Sequence, residues 1–254
     1  GGWEPGQGES GAAEDLGYIY DSNTNTYTVY NANGLMNVAE LVNGGKTDIN
    51  ITLTADIDLT GKDWTPIGTD YDNSYKGTFD GGGHTITGLT FTTNDEYAGL
   101  FGWLNRAGTV KNVVMEGVQI TSNQIYGGSI GGVVGSGWGT IENCSVSGSV
   151  SGTVYVGGVV GVQIGGSITG CSSSATVKGM VQVGGVAGQT IFGATLTACY
   201  ATGNVIIEID RTQDISGGGL VGFNDGISLL SCYATGNVTS TGSSTGNVHI
   251  GGLL

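Results

Sequence analysis

VGGVVGVQIGGSITGC, residues 156–171, contains the two sequence patterns that recur along this chain and decide its fold. The first pattern is a pair of glycines followed by two aliphatic or small residues and a third glycine. It returns, complete or shortened, as YAGLFG at 97–102, IGGVVG at 130–135, VGGVAG at 183–188, GGGLVG at 217–222 and IGGLL at 250–254. Successive copies begin 26 to 34 residues apart. A period of this length is typical of a solenoid, in which each repeat packs against its neighbours.

The second pattern is an aliphatic residue three positions before a cysteine, as in Ile168 and Cys171. It recurs as Val110 and Val113, Ile141 and Cys144, Leu196 and Cys199, and Leu229 and Cys232. Because three is not an even spacing, both side chains can point inward only if the chain turns a corner between them. The corner residues are Asn112, Asn143, Gly170, Ala198 and Ser231. Asparagine and glycine tolerate the left-handed backbone angles of such a corner, whereas alanine and serine fit less well.

Each repeat supplies about three short segments with the period of two that strands show, separated by Gly, Ser, Thr and Asn. After the corner, for example, Cys144 and Val146 lie on one face of a strand. Stacking these units in parallel register predicts an all-β chain folded as a right-handed parallel β-helix, with a short N-terminal capping helix. A propeller would require antiparallel blades with tight hairpins, and the Leu and Asn spacing of a leucine-rich repeat is absent.

The four cysteines occupy one position in successive repeats, and the first repeat has Val113 there. A metal ligand or half-cystine would not be exchanged for valine, and the spacing matches no zinc pattern. Parallel side chains on stacked coils also give the wrong dihedral angle for a disulfide. The sequence therefore predicts a buried column of reduced thiols that pack as small hydrophobic groups.

The chain divides into three parts. Residues 1–25 are expected to be a flexible leader without signal-peptide character. Residues 26–98 are expected to form the cap and the first coils, with a helix in ANGLMNVAELVNGG at 32–45. Residues 99–254 hold the repeats, and the sequence stops inside a further copy, which indicates truncation. An uncovered last coil predicts end-to-end or edge-mediated self-association.

Composition narrows the range of partners. Of 254 residues, 51 are Gly and 2 are Pro, while hydrophobic residues make up 38% and charged residues only 11%. Lys and Arg number 7 against 21 Asp and Glu, a net charge of −14. Phosphate backbones and anionic lipids would be repelled, so nucleic acid is not an expected partner. No apolar run approaches the length of a membrane helix, so we expect a chain that is not membrane-embedded.

GGGLVGFNDGISLLSCYATGNV, residues 217–238, resembles the GLUG motif repeat. That repeat runs from GG-L-VG-x-N-x-G through an aliphatic residue to CYATG-x-V. CYATGNV occurs here at 199–205 and again at 232–238, while the repeats beginning at 131 and 157 are looser versions.

The segment before the repeats is also similar to this family. WTPIG at 64–68 and YKGTFDGGGHTITGL at 75–89 resemble the coils that precede such repeats in surface proteins of gut bacteria. The resemblance covers residues 26–254 and implies export, display on the bacterial cell surface and a role in adhesion. Some such repeats accompany metallopeptidases that cut immunoglobulin A. The motif itself has no catalytic residues to transfer.

A β-helix can also carry a glycoside hydrolase or polysaccharide lyase, which is the alternative function. The seven basic residues are scattered, the two histidines stand alone, and no H-E-x-x-H motif is present. Carboxylates are paired at Asp56 and Asp58 and at Asp70 and Asp72, but hydrolysis needs a cleft between facing carboxylates. We therefore expect no catalytic residue. The one cofactor to consider is calcium, which would bind at Asp70, Asp72 and Asn73.

Aromatic side chains are the candidate ligand-binding residues. Those following the glycine pattern are Trp103, Trp138, Phe192 and Phe223, which would lie along one edge of a stacked solenoid. Tyr200 and Tyr233 directly follow inward cysteines, so they should point outward in a column. Exposed aromatic rows suit sugar stacking or protein contact, whereas the same residues could also cover the coil edges as lids. We therefore predict a noncatalytic surface module that binds a host or microbial glycan or protein, or acts as a structural stalk.

Overall fold

The computed structural model describes residues 15–209, 213–225 and 228–254. It shows a parallel β-solenoid of about seven turns with one short N-terminal helix. The fold class predicted from the repeat is therefore confirmed.

The N-terminal elements are β1 (Tyr18–Asp21), β2 (Thr26–Val29), α1 (Ala32–Asn43), β3 (Asn50–Leu53) and β4 (Ile57–Asp58). The next coil holds β5 (Thr78–Asp80), β6 (Thr85–Thr87), β7 (Thr90–Thr93), β8 (Tyr97–Ala98) and β9 (Phe101–Leu104). Two coils of long strands follow, with β10 (Thr109–Lys111), β11 (Val114–Ser122), β12 (Ser129–Gly131), β13 (Val134–Gly137), β14 (Thr140–Glu142), β15 (Ser145–Ser151), β16 (Tyr155–Gly157) and β17 (Val160–Ile164).

The last three coils contain β18 (Ser167–Thr169), β19 (Ser172–Ser173), β20 (Thr176–Gly179), β21 (Gln182–Gly184), β22 (Ala187–Ile191), β23 (Thr195–Thr197), β24 (Tyr200–Ala201), β25 (Val205–Ile209), β26 (Ile215–Gly218), β27 (Val221–Asn224), β28 (Ser228–Leu230), β29 (Tyr233–Ala234), β30 (Val238–Gly242) and β31 (Val248–Gly251).

Four sheets run along the axis of the stack. Sheet I has the order β1-β2-β3-β5-β10-β14-β18-β23-β28, and sheet II runs from β4 through β6, β11, β15, β19 and β24 to β29, with β7, β20, β25 and β30 alongside. Sheet III has the order β31-β26-β21-β16-β12-β8, and sheet IV has the order β27-β22-β17-β13-β9. Among the described strands every pairing is parallel except that of β1 with β2. Each strand therefore pairs with its counterpart one coil away.

This register builds columns of like side chains inside the tube. One column in sheet I contains Phe79, Val110, Ile141, Ile168, Leu196 and Leu229. All but the last are buried completely. Each coil closes its core only against the coils above and below it, as expected of a solenoid.

The corner between sheets I and II has the predicted left-handed backbone in each of the five coils that carry the aliphatic-to-cysteine pattern. The φ angles are 55° at Asn112, 51° at Asn143, 63° at Gly170, 53° at Ala198 and 55° at Ser231. The stack imposes the same corner on alanine and serine as on asparagine and glycine, because any other backbone angle would break the register with the coil beneath.

The cysteine column is also present. Val113, Cys144, Cys171 and Cys199 are buried, and Cys232 is half-buried at the end of the column. All four cysteines are free thiols. The prediction of stacked reduced thiols is confirmed.

The glycine pattern marks places where backbones approach too closely for a side chain. A Cβ atom built on Gly158 would lie 2.1 Å from Oγ of Ser173 and 2.2 Å from the carbonyl oxygen of Gly185. A Cβ on Gly185 would likewise lie 2.5 Å from Cβ of Ala201. Side chains of sheet II therefore pack against the corner between sheets III and IV, and only glycine leaves room for them there.

The N-terminal end is covered by α1 and β1. The side chain of Asn31 caps α1 by accepting a hydrogen bond from the backbone N–H of Gly34 at 2.9 Å. Leu35, Val38 and Val42 of α1 are completely buried, so the helix covers the core as predicted. The antiparallel strand β1 pairs with β2 and covers that end of sheet I.

Residues 1–14 of the expected leader lie outside the described residues. Within the rest of that segment, residues 18–21 form β1, which pairs antiparallel with β2 along its whole length.

Candidate functional site: exposed aromatic clusters

Tyr200 and Tyr233 form a stacked pair on the outer face of sheet II. Their ring centroids are 5.1 Å apart and their planes differ by 3°. They occupy the same register position on β24 and β29, one residue after the inward cysteines. Their exposed fractions are 37% and 50%. The structure thus places both side chains outside, as the strand alternation predicts. We call them the tyrosine pair.

A groove of about 220 Å³ lies beside Tyr200 on the same face. It is lined by Val114, Met115, Glu116, Ser145, Val146, Ser147, Ser172, Ser174, Tyr200 and Thr202. Ser145, Ser172 and Tyr200 stand at one register position of successive coils. The small serine side chains leave a depression, and the tyrosine ring rises at its end. We call this depression the serine groove.

A second aromatic cluster lies at the turn that follows sheet IV. The rings of Trp138 and Phe192 are parallel within 5°, with their centroids 6.3 Å apart. The guanidinium carbon of Arg106 lies 4.8 Å from the centroid of the Trp138 ring. Phe192 is 72% exposed and has a φ angle of 53°. We call Arg106, Trp138 and Phe192 the edge cluster.

A buried amide fixes the turn that carries Trp138. The side chain of Gln163 is completely buried, and its Nε2 donates to the carbonyl oxygens of Gly139 and Gly165, both at 2.9 Å. Gly165 and Gly166 have φ angles of 65° and 64°. These bonds hold the turn after Trp138 against the turn of the next coil.

Trp103 and Phe223 are not part of the edge cluster. Both residues lie on strands of sheet IV, at one register position. Trp103 pairs with Ser136, and Phe223 pairs with Gln189. The four aromatic residues expected along one edge therefore form two rows. Phe223 is 38% exposed.

Trp103 is only 8% exposed, so it cannot serve as an open stacking surface. Tyr97 and Tyr71 pack edge-on against its indole, with centroid distances of 4.6 and 5.8 Å. Tyr71 belongs to the loop between β4 and β5, which the repeat pattern does not describe.

The loop proposed for calcium is closed by its own hydrogen bonds. Oδ1 of Asp70 accepts the backbone N–H of Asn73 at 2.9 Å, and the Asn73 side-chain nitrogen donates to both carboxylate oxygens at 3.1 Å. These bonds, the backbone one first, lower the pKa of Asp70. Within the ranges that the structure describes, no three His, Cys, Asp or Glu side chains are grouped as a metal site. Asp70 and Asn73 lie together, with Asp70 as the hydrogen-bond acceptor and Asn73 as the donor. Calcium binding by this loop stays a prediction.

The other paired carboxylates hold local structure. Asp56 accepts the backbone N–H of Thr85 at 2.9 Å, and its carboxylate lies 3.4 Å from Nδ1 of His84. Asp58 accepts the backbone N–H of Thr60 at 2.9 Å. Hydrogen bonds from these neighbours lower the pKa of both carboxyl groups, so each is present as the acceptor-only carboxylate.

One depression gathers three carboxylates that sequence reasoning did not bring together. Asp70, Asp95 and Glu96 line a space of about 270 Å³ with Pro66, Thr69 and Tyr97. Asp95 accepts the hydroxyl of Thr93 at 2.8 Å, and Glu96 accepts the hydroxyl of Tyr97 at 2.7 Å. Asp70 lies in the loop between β4 and β5, whereas Asp95 and Glu96 lie between β7 and β8. The spacing of these residues in the sequence therefore could not predict that they meet.

The fold and these surfaces define the chain as a repeat β-solenoid whose outward positions carry aromatic side chains. The family model of the GLUG motif matches residues 126–151 and 152–178. The chain therefore contains GLUG motif repeats. These two matches contain the repeats that begin at 131 and 157, which depart further from the motif than residues 217–238 do.

Two curated proteins are similar to this chain. A halomucin from Haloquadratum walsbyi is 32% identical over 158 residues, which is 58% of this chain and 2% of that protein. A candidate Gly-rich membrane protein from Evansella cellulosilytica is 35% identical over 128 residues, 48% of this chain and 14% of that protein. The chain thus matches only a small part of either relative's length.

The fold is shared with a solved structure, that of a candidate immunoglobulin A1 protease from Bacteroides ovatus. The TM-score is 0.70 at 24% identity, covering 89% of this chain and 70% of the other. This similarity shows the fold. The chain is thus a β-solenoid that contains GLUG motif repeats.

The helix α1 is 12 residues long. Nothing helical in the described ranges reaches the length and apolar character of a membrane span.

Proposed function

We propose that this chain is a noncatalytic module of an extracellular, surface-displayed bacterial protein, and that it mediates adhesion by binding a glycan. The observation that carries this proposal is the tyrosine pair beside the serine groove. Two parallel rings and a row of hydroxyl groups stand on one outer face of a rigid stack.

The chemistry of this face suits a saccharide. Tyrosine combines a broad apolar ring with a polar hydroxyl, so it can contact the C–H face of a sugar and still bond its hydroxyl groups. Serine hydroxyls donate and accept hydrogen bonds, which matches the mixed donors and acceptors of a sugar. Because Ser145, Ser172 and Tyr200 follow each other along the stacking axis, the ligand would lie along that axis.

The similar proteins support a surface location. One relative is named a halomucin and another a Gly-rich membrane protein. The rigid repeat would also hold neighbouring domains away from the cell, so a stalk role is compatible with binding.

A glycan array tests the proposal, with a panel of host matrix proteins in parallel. Tyr200→Ala and Tyr233→Ala should each weaken glycan binding about tenfold or more. Tyr71→Ala is the matched control, because Tyr71 is 65% exposed and lies outside sheet II. Failure of the unaltered chain to bind any glycan would reject the glycan ligand, and binding to a matrix protein alone would replace it with a protein ligand.

The alternative is a carbohydrate-active enzyme, and the depression of Asp70, Asp95 and Glu96 is the observation that favours it. Glycoside hydrolysis requires two carboxyl groups across a sugar, one of them protonated. Release of reducing ends from neutral and acidic polysaccharides, lost in Glu96→Gln and retained in Glu208→Gln, would establish this alternative. Sustained inactivity on both classes would remove it.

A further inference from the structure

We propose that the edge cluster binds a sugar that carries a carboxylate, such as a hexuronic or sialic acid unit. Arg106 would bind the carboxylate, and the rings of Trp138 and Phe192 would contact the body of the sugar. This site is separate from the tyrosine pair and does not depend on it.

The first argument is the backbone at Phe192. The preceding coil has Gly165 and Gly166 in the corresponding turn, both with left-handed backbone, and this coil has Phe192 and Gly193, with φ angles of 53° and 76°. A bulky side chain at such a φ angle is an outlier. Glycine would serve this inherited turn at no steric cost, yet this coil places an aromatic ring there, in solvent.

The second argument is the arrangement of the rings. The planes of Trp138 and Phe192 are parallel, and Gly165 lies between the two turns. A Cβ atom on Gly165 would lie 3.6 Å from Cε3 of Trp138 and 3.4 Å from the carbonyl oxygen of Phe192. Gly165 therefore lies within van der Waals distance of the indole and places no side chain of its own between the two rings. Together they form a continuous aromatic surface across three coils.

The third argument is the state of Arg106. Its side chain is exposed, and within the described residues no carboxylate lies within ion-pair distance of it. Lys111 and Lys178, by contrast, pair with Asp80 and Glu208. The guanidinium carbon contacts the Trp138 ring, and a guanidinium group that stacks on an aromatic ring keeps its edge N–H donors available. Those donors suit a carboxylate, which they can bind with two parallel hydrogen bonds.

The net charge of −14 does not prevent this contact. At physiological ionic strength, exposed charges more than about 8 Å apart are largely screened. An anion on Arg106 therefore experiences mainly the local guanidinium group. The support that Gln163 gives to the turn of Trp138 also means that this ring needs little further ordering on binding.

The test compares two ligands that differ at one carbon. Methyl β-D-glucuronide carries a carboxylate at C6, and methyl β-D-glucoside carries a hydroxymethyl group there. Isothermal titration of the full chain should show binding of the glucuronide at least tenfold tighter than of the glucoside. The preference should weaken as salt is added, because the contact is between charges. The methyl glycoside of N-acetylneuraminic acid, in a parallel titration, distinguishes sialic from uronic acids.

Three variants separate the parts of the site. Arg106→Gln should remove the preference for the glucuronide, while Arg106→Lys, which keeps the charge but loses the planar donors, should retain only part of it. Phe192→Asn should weaken binding of both glycosides, because asparagine accepts the left-handed backbone but removes the ring. Tyr71→Ala is the matched control and should change nothing, because this exposed ring packs against Trp103 and not against the edge cluster.

Equal binding of the two glycosides, no binding of either, or an unchanged preference in Arg106→Gln would overturn the proposal. Thermal unfolding of each variant checks that the solenoid is intact. Tyr200→Ala distinguishes this site from the proposed glycan face, since it should leave the glucuronide preference unaltered.

Discussion

The backbone N–H of Cys144 lies 3.4 Å from Sγ of Cys171 on the next coil. Cys199 and Cys232 repeat the relationship at the same distance. The thiol of Cys144 in turn lies 3.2 Å from the carbonyl oxygen of Glu142, two residues before it. The sulfurs therefore take part in the hydrogen bonding between coils at the corner, in addition to filling space.

Thiol labelling should proceed from the open end of the column. Cys232 is half-buried, whereas Cys144, Cys171 and Cys199 are buried. Since only the thiolate of an accessible cysteine reacts readily, one equivalent of a maleimide or disulfide reagent should react in the native chain at pH 8. Mass spectrometry of the labelled peptides should place it on Cys232. Denaturant should release all four, and equal labelling of the four in native protein would contradict the buried column.

Stability should fall in alkaline solution. The contact with the Cys144 thiol and then burial raise the pKa of Cys171, and the contact with Cys171 and then burial raise that of Cys199. The unfolded chain loses these protons near pH 9 while the folded chain retains them. The thiols therefore contribute stability below pH 9 that is lost progressively as the pH rises above it.

Thermal unfolding from pH 7 to pH 11 measures this loss. The double variant Cys171→Val and Cys199→Val should lose less stability over that range, because valine occupies the same column at Val113 and does not titrate. Tyr75, whose pKa is raised by burial, contributes a further alkaline loss that the variant should retain. An identical pH dependence in variant and unaltered chain would exclude the thiols as a cause.

Asparagine at the alanine corner should stabilise the chain. Ala198 has a φ angle of 53°, where alanine is disfavoured by about 1–2 kcal/mol. Ala198→Asn should recover part of that energy and raise the Tm by about 2–4 °C per kcal/mol gained. Asn143→Ala is the reverse change at the equivalent corner and should lower the Tm. A lower Tm in Ala198→Asn would show that the corner tolerates alanine without strain.

Alanine in the glycine pattern should destabilise the solenoid. The Cβ of Gly158→Ala would overlap the Gly185 carbonyl oxygen and the Ser173 hydroxyl. Overpacking of this kind costs about 1–3 kcal/mol or more, and here one obstacle is backbone. Gly252→Ala is the matched control, since nothing lies within 4 Å of a Cβ there. Chemical denaturation should separate the two variants, and equal midpoints would show that sheet II can move away from the corner between sheets III and IV.

Register is the feature that made prediction possible. Once the repeats are aligned, each column holds one kind of side chain, so Cys144 and Cys171 could be placed inside and Tyr200 outside. The corner was likewise visible, because Asn112 and Asn143 mark a backbone that most residues avoid.

The exposure of the aromatic residues that follow the glycine pattern could not be predicted from the repeat in the same way. The sequence determined the solenoid, its thiol column, its corners and its capping helix, because these follow from spacing within a repeat that stacks on copies of itself. Only the tertiary structure decided that Trp103 is covered while Phe192 stands in solvent. Trp103 is covered by Tyr97 and by Tyr71, the second of which lies in a loop outside the repeat. The position of Phe192 comes from a turn whose backbone is imposed by the coil before it.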